Sequence, residues 1–208
     1  MDIKEEKRLE DMLFFEKELT KKGYKNICGI DEAGRGPLCG EVVAAAVILN
    51  DGIIIEGVND SKKLTEKKRE VLYDEIIKNV KAYGIGVSSV AEIEELNILG
   101  ATKLAMKRAV DNLKIKPDYV LIDGNQKVSL IDITQETIVS GDARSLSIAC
   151  ASILAKVTRD RMLRKYDEKY PEYGFAKHKG YGTKEHIEAI KKYGMCEIHR
   201  PSFCKKFI

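Results

Sequence analysis

A chain of 208 residues, 44% of them hydrophobic and with a formal charge of only +3, has the material for one large core and is not the composition of a disordered chain. Its longest apolar run, Val42 to Leu49, stops far short of the roughly 18 residues that suggest a membrane span, and the charged opening Met1 to Glu10 is no secretory signal, so a soluble, cytoplasmic protein is expected. Five cysteines (Cys28, Cys39, Cys150, Cys196, Cys204), odd in number and without a C-x-x-C pair, argue against a zinc cluster or disulfide framework and read as small buried hydrophobes.

Residues 1–22 place Leu9, Met12, Leu13, Phe15 and Leu19 at helical spacing, with Gly23 as a stop. Residues 1–23 therefore read as an N-terminal helical extension of a main domain spanning 24–208. Ile27 to Asp31 and Glu41 to Leu49 read as strands joined by a glycine loop, and Gly84 to Ser88 as a third strand after a helix capped near Thr65. Three early strands in succession suggest a meander. Ser89 and Glu92 form a capping-box pattern, and the periodicity predicts a helix from Asn97 to Leu113. Pro117 precedes Tyr119-Val120-Leu121-Ile122-Asp123, an apolar strand of the kind covered on both faces, and Glu136 to Val139 reads as another. Ala143 to Tyr166 is expected as a long helix, Tyr173 to Gly182 as a loop, and Thr183 to Tyr193 as a final helix. Strands first, then alternating helix and strand, imply an α/β fold with a mixed sheet.

Two apolar strands each end in acid followed by glycine: Asp31-Glu32 ahead of Gly34-Arg35-Gly36, and Asp123 ahead of Gly124. In open α/β sheets ligands collect at the carboxyl ends of parallel strands, so these acids meet if the two strands are neighbours. Neighbouring strand residues face opposite ways, so Asp31 and Glu32 share a site only if extended geometry breaks there, a break that Gly34 and Gly36 could supply. Clustered carboxylates suit magnesium, a hard cation that takes oxygen ligands, and paired divalent ions suit phosphodiester hydrolysis. The plainer reading is a pair of turns with solvated acids. A fourth acid is Asp142 or Asp160, which a continuous helix would hold about 27 Å apart. Asp142 has the nearer tether, and Asp160 reads as a partner of Lys156 or Arg164 four residues away. From Lys156 to Ile208 there are 14 Lys/Arg against 7 Asp/Glu, a local excess that suits a polyanionic partner.

Gly29 to Gly40, Asn59-Asp60-Ser61-Lys62-Lys63-Leu64, Leu96-Asn97-Ile98-Leu99, Leu121 to Asn125, Gly141-Asp142-Ala143-Arg144, Ala151 to Asp160 and His178-Lys179-Gly180-Tyr181 together resemble the bacterial ribonuclease HII family, in the family's order and over about Ile27 to Phe203. The resemblance implies a ribonuclease H-like fold, a five-stranded mixed β-sheet flanked by helices with a C-terminal helical part. It implies an endonuclease that cuts the RNA strand of RNA/DNA hybrids and nicks 5′ of single ribonucleotides embedded in duplex DNA, by a two-metal-ion mechanism with magnesium or manganese. Asp31, Glu32, Asp123 and Asp142 match the family's metal-binding acids, Gly34-Arg35-Gly36 its ribonucleotide sensor and Tyr181 its sugar-stacking tyrosine.

Each match has a physical sense. The 2′-hydroxyl is what distinguishes RNA from DNA, and backbone bared by Gly34 and Gly36 can reach it. A tyrosine ring laid on the next deoxyribose would be crowded by an added 2′-oxygen. Arg35, Lys62, Lys63 and Arg144 are cations suited to phosphate, which positions a duplex without reading bases. His178, His186 and His199 lack metal-ligand spacing, and His178 reads as structural. Two rivals stand beside this reading: a hybrid-binding protein without catalysis, and a sister nuclease that ignores lone ribonucleotides. A nucleotide hydrolase fails on pattern, because Gly34 to Gly40 lacks a Gly-Lys-Ser/Thr ending. A monomer is expected, acting on RNA/DNA hybrid and ribonucleotide-containing duplex and away from membranes.

Overall fold

The computed structural model describes residues 2–208. The N-terminal segment is two helices, α1 (Ile3–Met12) and α2 (Phe14–Lys21), and not the single helix its periodicity predicts. The break at Leu13 lets each helix bury its own apolar edge: Leu9 and Met12 in one cluster, Leu19 in another.

Five strands, β1 (Ile27–Ala33), β2 (Val42–Ile48), β3 (Ala82–Ser88), β4 (Tyr119–Asp123) and β5 (Gln135–Ile138), form one sheet in the order β3-β2-β1-β4-β5. The first three make the expected antiparallel meander, whereas β4 pairs parallel with β1 and β5 parallel with β4. The two acid-ending strands are thus neighbours. Every residue of β2 is buried, as its unbroken Val/Ala/Ile run requires of a strand covered on both faces.

Helices cover both faces. On one face Ile30, Ala44, Ala46, Val120 and Ile122 pack against Ala101, Ala105 and Ala109 of α4 (Val90–Asp111). On the other, Ala45 and Val47 meet Ala149, Cys150, Ala151 and Ile153 of α5 (Leu146–Lys169), with α3 (Glu66–Asn79) and α1 outside them. The small residues of α5 let it lie close on the sheet. At Gly29 the approach is so tight that a Cβ would sit 2.4 Å from the Ile148 nitrogen, so no larger residue fits.

Two boundaries differ from expectation. α4 begins at Val90 behind the capping box of Ser89 and Glu92, which is formed, and kinks at Asn97, whose φ is +59°. Its Oδ1 accepts from the N–H groups of Leu99 and Gly100, so Asn97 acts as a second cap in mid-helix. α5 begins at Leu146, not Ala143, because Gly141–Ala143 form a separate 3-10 turn and Ser145 caps the helix. After α5 the predicted loop contains a one-turn helix, α6 (Phe175–His178), followed by α7 (Lys184–Tyr193) and α8 (Pro201–Cys204). These pack with Leu38, Cys39, Leu163 and Ile198 in a third core that also takes in Phe203 and Phe207 of the tail. Four of the five cysteines are buried and all are free. Among the described residues no helix is long and apolar enough to cross a membrane.

Candidate functional site

β1 and β4 stay paired as far as Ile30 and Ile122, and the next residue on each strand is an acid, Asp31 and Asp123. β1 runs on to Ala33 against β2, so the strand does not break between Asp31 and Glu32 as expected. The two side chains still face opposite sides of the sheet. Both reach one site because β4 ends at Asp123, level with Asp31, leaving the β4 side of β1 open from Glu32 on.

Asp31, Glu32, Gly34, Arg35, Gly36, Lys62, Asp123 and Tyr181 border one cleft of about 210 Å³, which Ser61, Ser152, Lys156 and Arg159 also line. Main-chain donors fix the central acids. Asp31 Oδ1 accepts from the Glu32 N–H at 2.7 Å, and Asp123 Oδ1 accepts from the Gly141 N–H at 2.6 Å. Asp142, one residue on, stands with Asp123 in the same electrostatic field. Two cations answer the outer acids: Arg35 Nη1 lies 3.3 Å from Glu32 Oε1, and Lys62 Nζ 3.7 Å from Asp142 Oδ2.

Burial raises the Asp31 carboxyl well above the usual carboxylate range, and the charges of Glu32 and Asp123 raise it further. Glu32 is raised by burial too, against the opposing pull of Arg35. Asp142 is raised by burial and by the Asp123 and Asp60 charges. Burial holds Lys156 below its ordinary value, partly offset by Asp160. A set of like charges forced together in a half-dry cleft is relieved by bound cations, and the donors are all hard oxygens, so the residues fit divalent magnesium or manganese. Among the described residues no three acid, imidazole or thiol side chains stand in closed ligating geometry.

Lys63 and Arg144 are not in this cleft. They line an adjoining groove with Arg8, Phe14 and Phe15, where the Arg144 guanidinium lies 5.2 Å over the Phe15 ring. Tyr181 is 49% exposed, so its ring is not core packing. Gly34 and Gly36 differ in what they require. At Gly34 φ is +101° and a Cβ would fall 2.2 Å from Arg159 Nε, whereas at Gly36 it would meet only Tyr181 Cε1 at an ordinary 3.7 Å.

Asp160 pairs with Lys156 at 2.7 Å, while Arg164, its other expected partner, bonds Glu66 and Glu70 of α3. His178 is buried, and both ring nitrogens are engaged by main chain: its Nε2–H donates to the Tyr173 carbonyl and its Nδ1 accepts from the Gly180 N–H. His186 and His199 bond each other at 3.1 Å, and burial pushes both down to about 4.

Ser152, Lys156 and Arg159 escaped the reading of single motifs. Their four- and three-residue spacing on a predicted helix, one face opposite the acids, was the available signal. Arg200 and Glu16 gave none, because their partners are distant in sequence: main-chain carbonyls of residues 34–41 for Arg200, and Ser145 and Ser147 for Glu16.

The ribonuclease HII family profile matches residues 28–206. The ribonuclease HII of Acetivibrio thermocellus is 63% identical over 99% of this chain and 80% of its own length. Among solved structures, the ribonuclease H2 of Pyrococcus horikoshii superposes with a TM-score of 0.73 at 30% identity, covering 88% of this chain and 97% of the other. An RNase HII of Archaeoglobus fulgidus, solved in complex with PCNA, gives 0.71 at 26% identity over 85% and 94%. A profile that spans most of the chain and a relative 63% identical along nearly all of it agree with the superposed fold: the chain belongs to the ribonuclease HII family.

Proposed function

We propose that Asp31, Glu32, Asp123 and Asp142 hold two divalent ions against the scissile phosphate, and that the 34–36 loop and Tyr181 select the ribonucleotide. As a ribonuclease HII, the chain is an endonuclease that cleaves RNA in RNA/DNA hybrids and at ribonucleotides embedded in DNA. Enzymes of this family depend on divalent metal. The observation that carries the assignment of residues is the meeting of Asp31, Glu32 and Asp123 in one cleft with Gly34, Arg35, Gly36 and Tyr181.

Bound magnesium or manganese would supply charge neutralisation at the attacking and leaving oxygens, and the expected products carry 3′-hydroxyl and 5′-phosphate ends. The chain's own residues do the rest. Gly141 and Glu32 N–H groups hold the Asp123 and Asp31 carboxylates to one orientation. Lys62 and Lys156 bring positive charge to the phosphate side of the cleft, and Lys63 and Arg144 extend it along the neighbouring groove. Tyr181 offers its exposed ring to the sugar beyond the ribonucleotide. Residues 24–208 carry the chemistry in this reading, with 1–23 as a brace, and the enzyme acts as a cytoplasmic monomer.

The test is one gel. The pure protein with magnesium or manganese should nick a duplex carrying one ribonucleotide once and cut a hybrid at many sites. It should leave plain DNA intact and lose all cutting in chelator. Retained cleavage after Asp123→Asn would remove that acid from the mechanism.

A further inference from the structure

The segment from Gly34 to Glu41 has no regular secondary structure, yet its carbonyls turn inward onto two buried guanidiniums. Arg200, 0% exposed, donates to the carbonyls of Gly34 (2.6 Å), Arg35 (3.1 Å), Pro37 (2.9 Å) and Gly40 (2.6 and 2.8 Å), with a longer bond to Glu41. Arg159, 1% exposed, donates to Cys39 (2.9 Å), Glu41 (3.0 Å) and Lys179 (3.0 Å). Every hydrogen-bond acceptor of these two arginines is a main-chain carbonyl. A buried cation without a carboxylate costs much to desolvate, so an arrangement that keeps two of them side by side needs a reason.

Peptide geometry supplies one. In a trans peptide the N–H points opposite to the preceding C=O, and the chain has no cis bond among the described residues. Drawing the Gly34 and Arg35 carbonyls onto Arg200 therefore turns the Arg35 and Gly36 N–H groups the other way. Among the described residues neither N–H has a protein acceptor, and both residues border the acidic cleft. Arg159 ties the same loop to Lys179, two residues before Tyr181, and Leu38 N–H donates to the Gly180 carbonyl at 2.8 Å beside it.

We propose that Arg200 and Arg159 are positioning residues for ribonucleotide selection: Arg200 aims the Arg35 and Gly36 N–H groups at an acceptor oxygen of the ribonucleotide, and Arg159 fixes their distance from the Tyr181 ring. This rests on residues 34–36 contacting the ribose. Arg200→Lys keeps a cation but not the fork that reaches several carbonyls at once.

The test compares binding, in chelator, of a duplex with one ribonucleotide and the same duplex in all-DNA form. The wild type should prefer the first. Arg200→Lys should lower that preference by about fivefold, the worth of one net hydrogen bond, and leave the all-DNA Kd within about twofold. Amide hydrogen exchange on the wild type needs no variant: Arg35 and Gly36 should be slowed by the ribonucleotide duplex and not by DNA. An undiminished preference in Arg200→Lys overturns the proposal while leaving the 34–36 contact standing, and equal exchange with both duplexes overturns the main-chain contact and the proposal together. A wild type that binds both duplexes equally overturns that contact and the proposal with it.

Discussion

Glu16 of α2 reaches the start of α5, just after the turn carrying Asp142. Its Oε1 accepts from Ser145 Oγ at 2.6 Å, Ser147 N at 3.0 Å and Ser147 Oγ at 2.6 Å, all buried at the start of α5. A carboxylate there also meets the positive end of a long helix. Glu16→Ala strips three buried donors of their acceptor, each charge-assisted bond being worth ~1.5–3 kcal/mol. Against that, Oε2 is buried without a partner, so removing the carboxylate also relieves a desolvated oxygen. The net loss should be about 2–4 kcal/mol, a fall in Tm of about 5–12 °C for a chain of this size. Glu16→Gln keeps a neutral acceptor at Oε1 and should cost only about 1 kcal/mol. Urea denaturation of the two variants in chelator measures both. Cleavage well below Tm should fall by about tenfold to 10²-fold in Glu16→Ala, because the 141–145 turn loses its brace. An alanine variant within about 0.5 kcal/mol of wild type would show that the N-terminal helices are an appendage, and that the brace does not exist.

Asp123→Asn should abolish cleavage while binding of a ribonucleotide duplex in chelator survives, since an amide is a poorer ligand for a hard cation; gel and fluorescence anisotropy decide it. Tyr181→Ala should weaken nicking at a single ribonucleotide more than cutting of a continuous hybrid, because only the first has a deoxyribose for the ring to cover; equal losses would refute the stacking role. Gly34→Ala meets both a left-handed φ and the Arg159 side chain, so it should destabilise by about 1–3 kcal/mol, whereas Gly36→Ala should leave Tm nearly unchanged. The raised Asp31 carboxyl makes a signed pH prediction. A raised folded-state pKa means stability present below the unfolded value and lost as pH rises through the folded one. In chelator, Asp31→Asn should therefore gain Tm over wild type as pH goes from 4 to 8, and a gap that narrows would contradict the charge assignment.

The sheet, its meander and the meeting of Asp31 with Asp123 were legible because each rests on local pattern: an apolar run, an acid at its end, a glycine after it. Element boundaries were less so. Asn97 interrupts a good helical period by capping with its own side chain, and Leu13 divides a helix whose two halves bury into different clusters, choices made by tertiary packing. Asp31 and Glu32 were expected to need a broken strand. The sheet instead drops a neighbour, a fact of where β4 stops and invisible in β1 itself. Lys63 and Arg144 carry the right charge for the cleft but lie in the groove beside it, because charge in a sequence has no direction. The buried arginines were the least legible of all, since their partners are carbonyls that any residue could present.

The placement of the acids is set one residue upstream of them. Ile30 and Ile122 are 0% and 1% exposed, paired across the β1–β4 boundary and packed on α4. Asp31 then fixes one carboxylate oxygen to the next N–H, of Glu32, and Asp123 one to the N–H of Gly141 in the turn before α5, so main chain anchored in the core positions both acids. A change at Ile122 should consequently be felt as misplacement as well as lost packing. Ile122→Val removes one buried methylene at about 0.5–1.5 kcal/mol and leaves the strand register intact, so cleavage should hold. Ile122→Ala, at ~2–5 kcal/mol, lets the strand ends relax toward the cavity and should cost more rate than its stability loss predicts at a temperature where the variant is still folded.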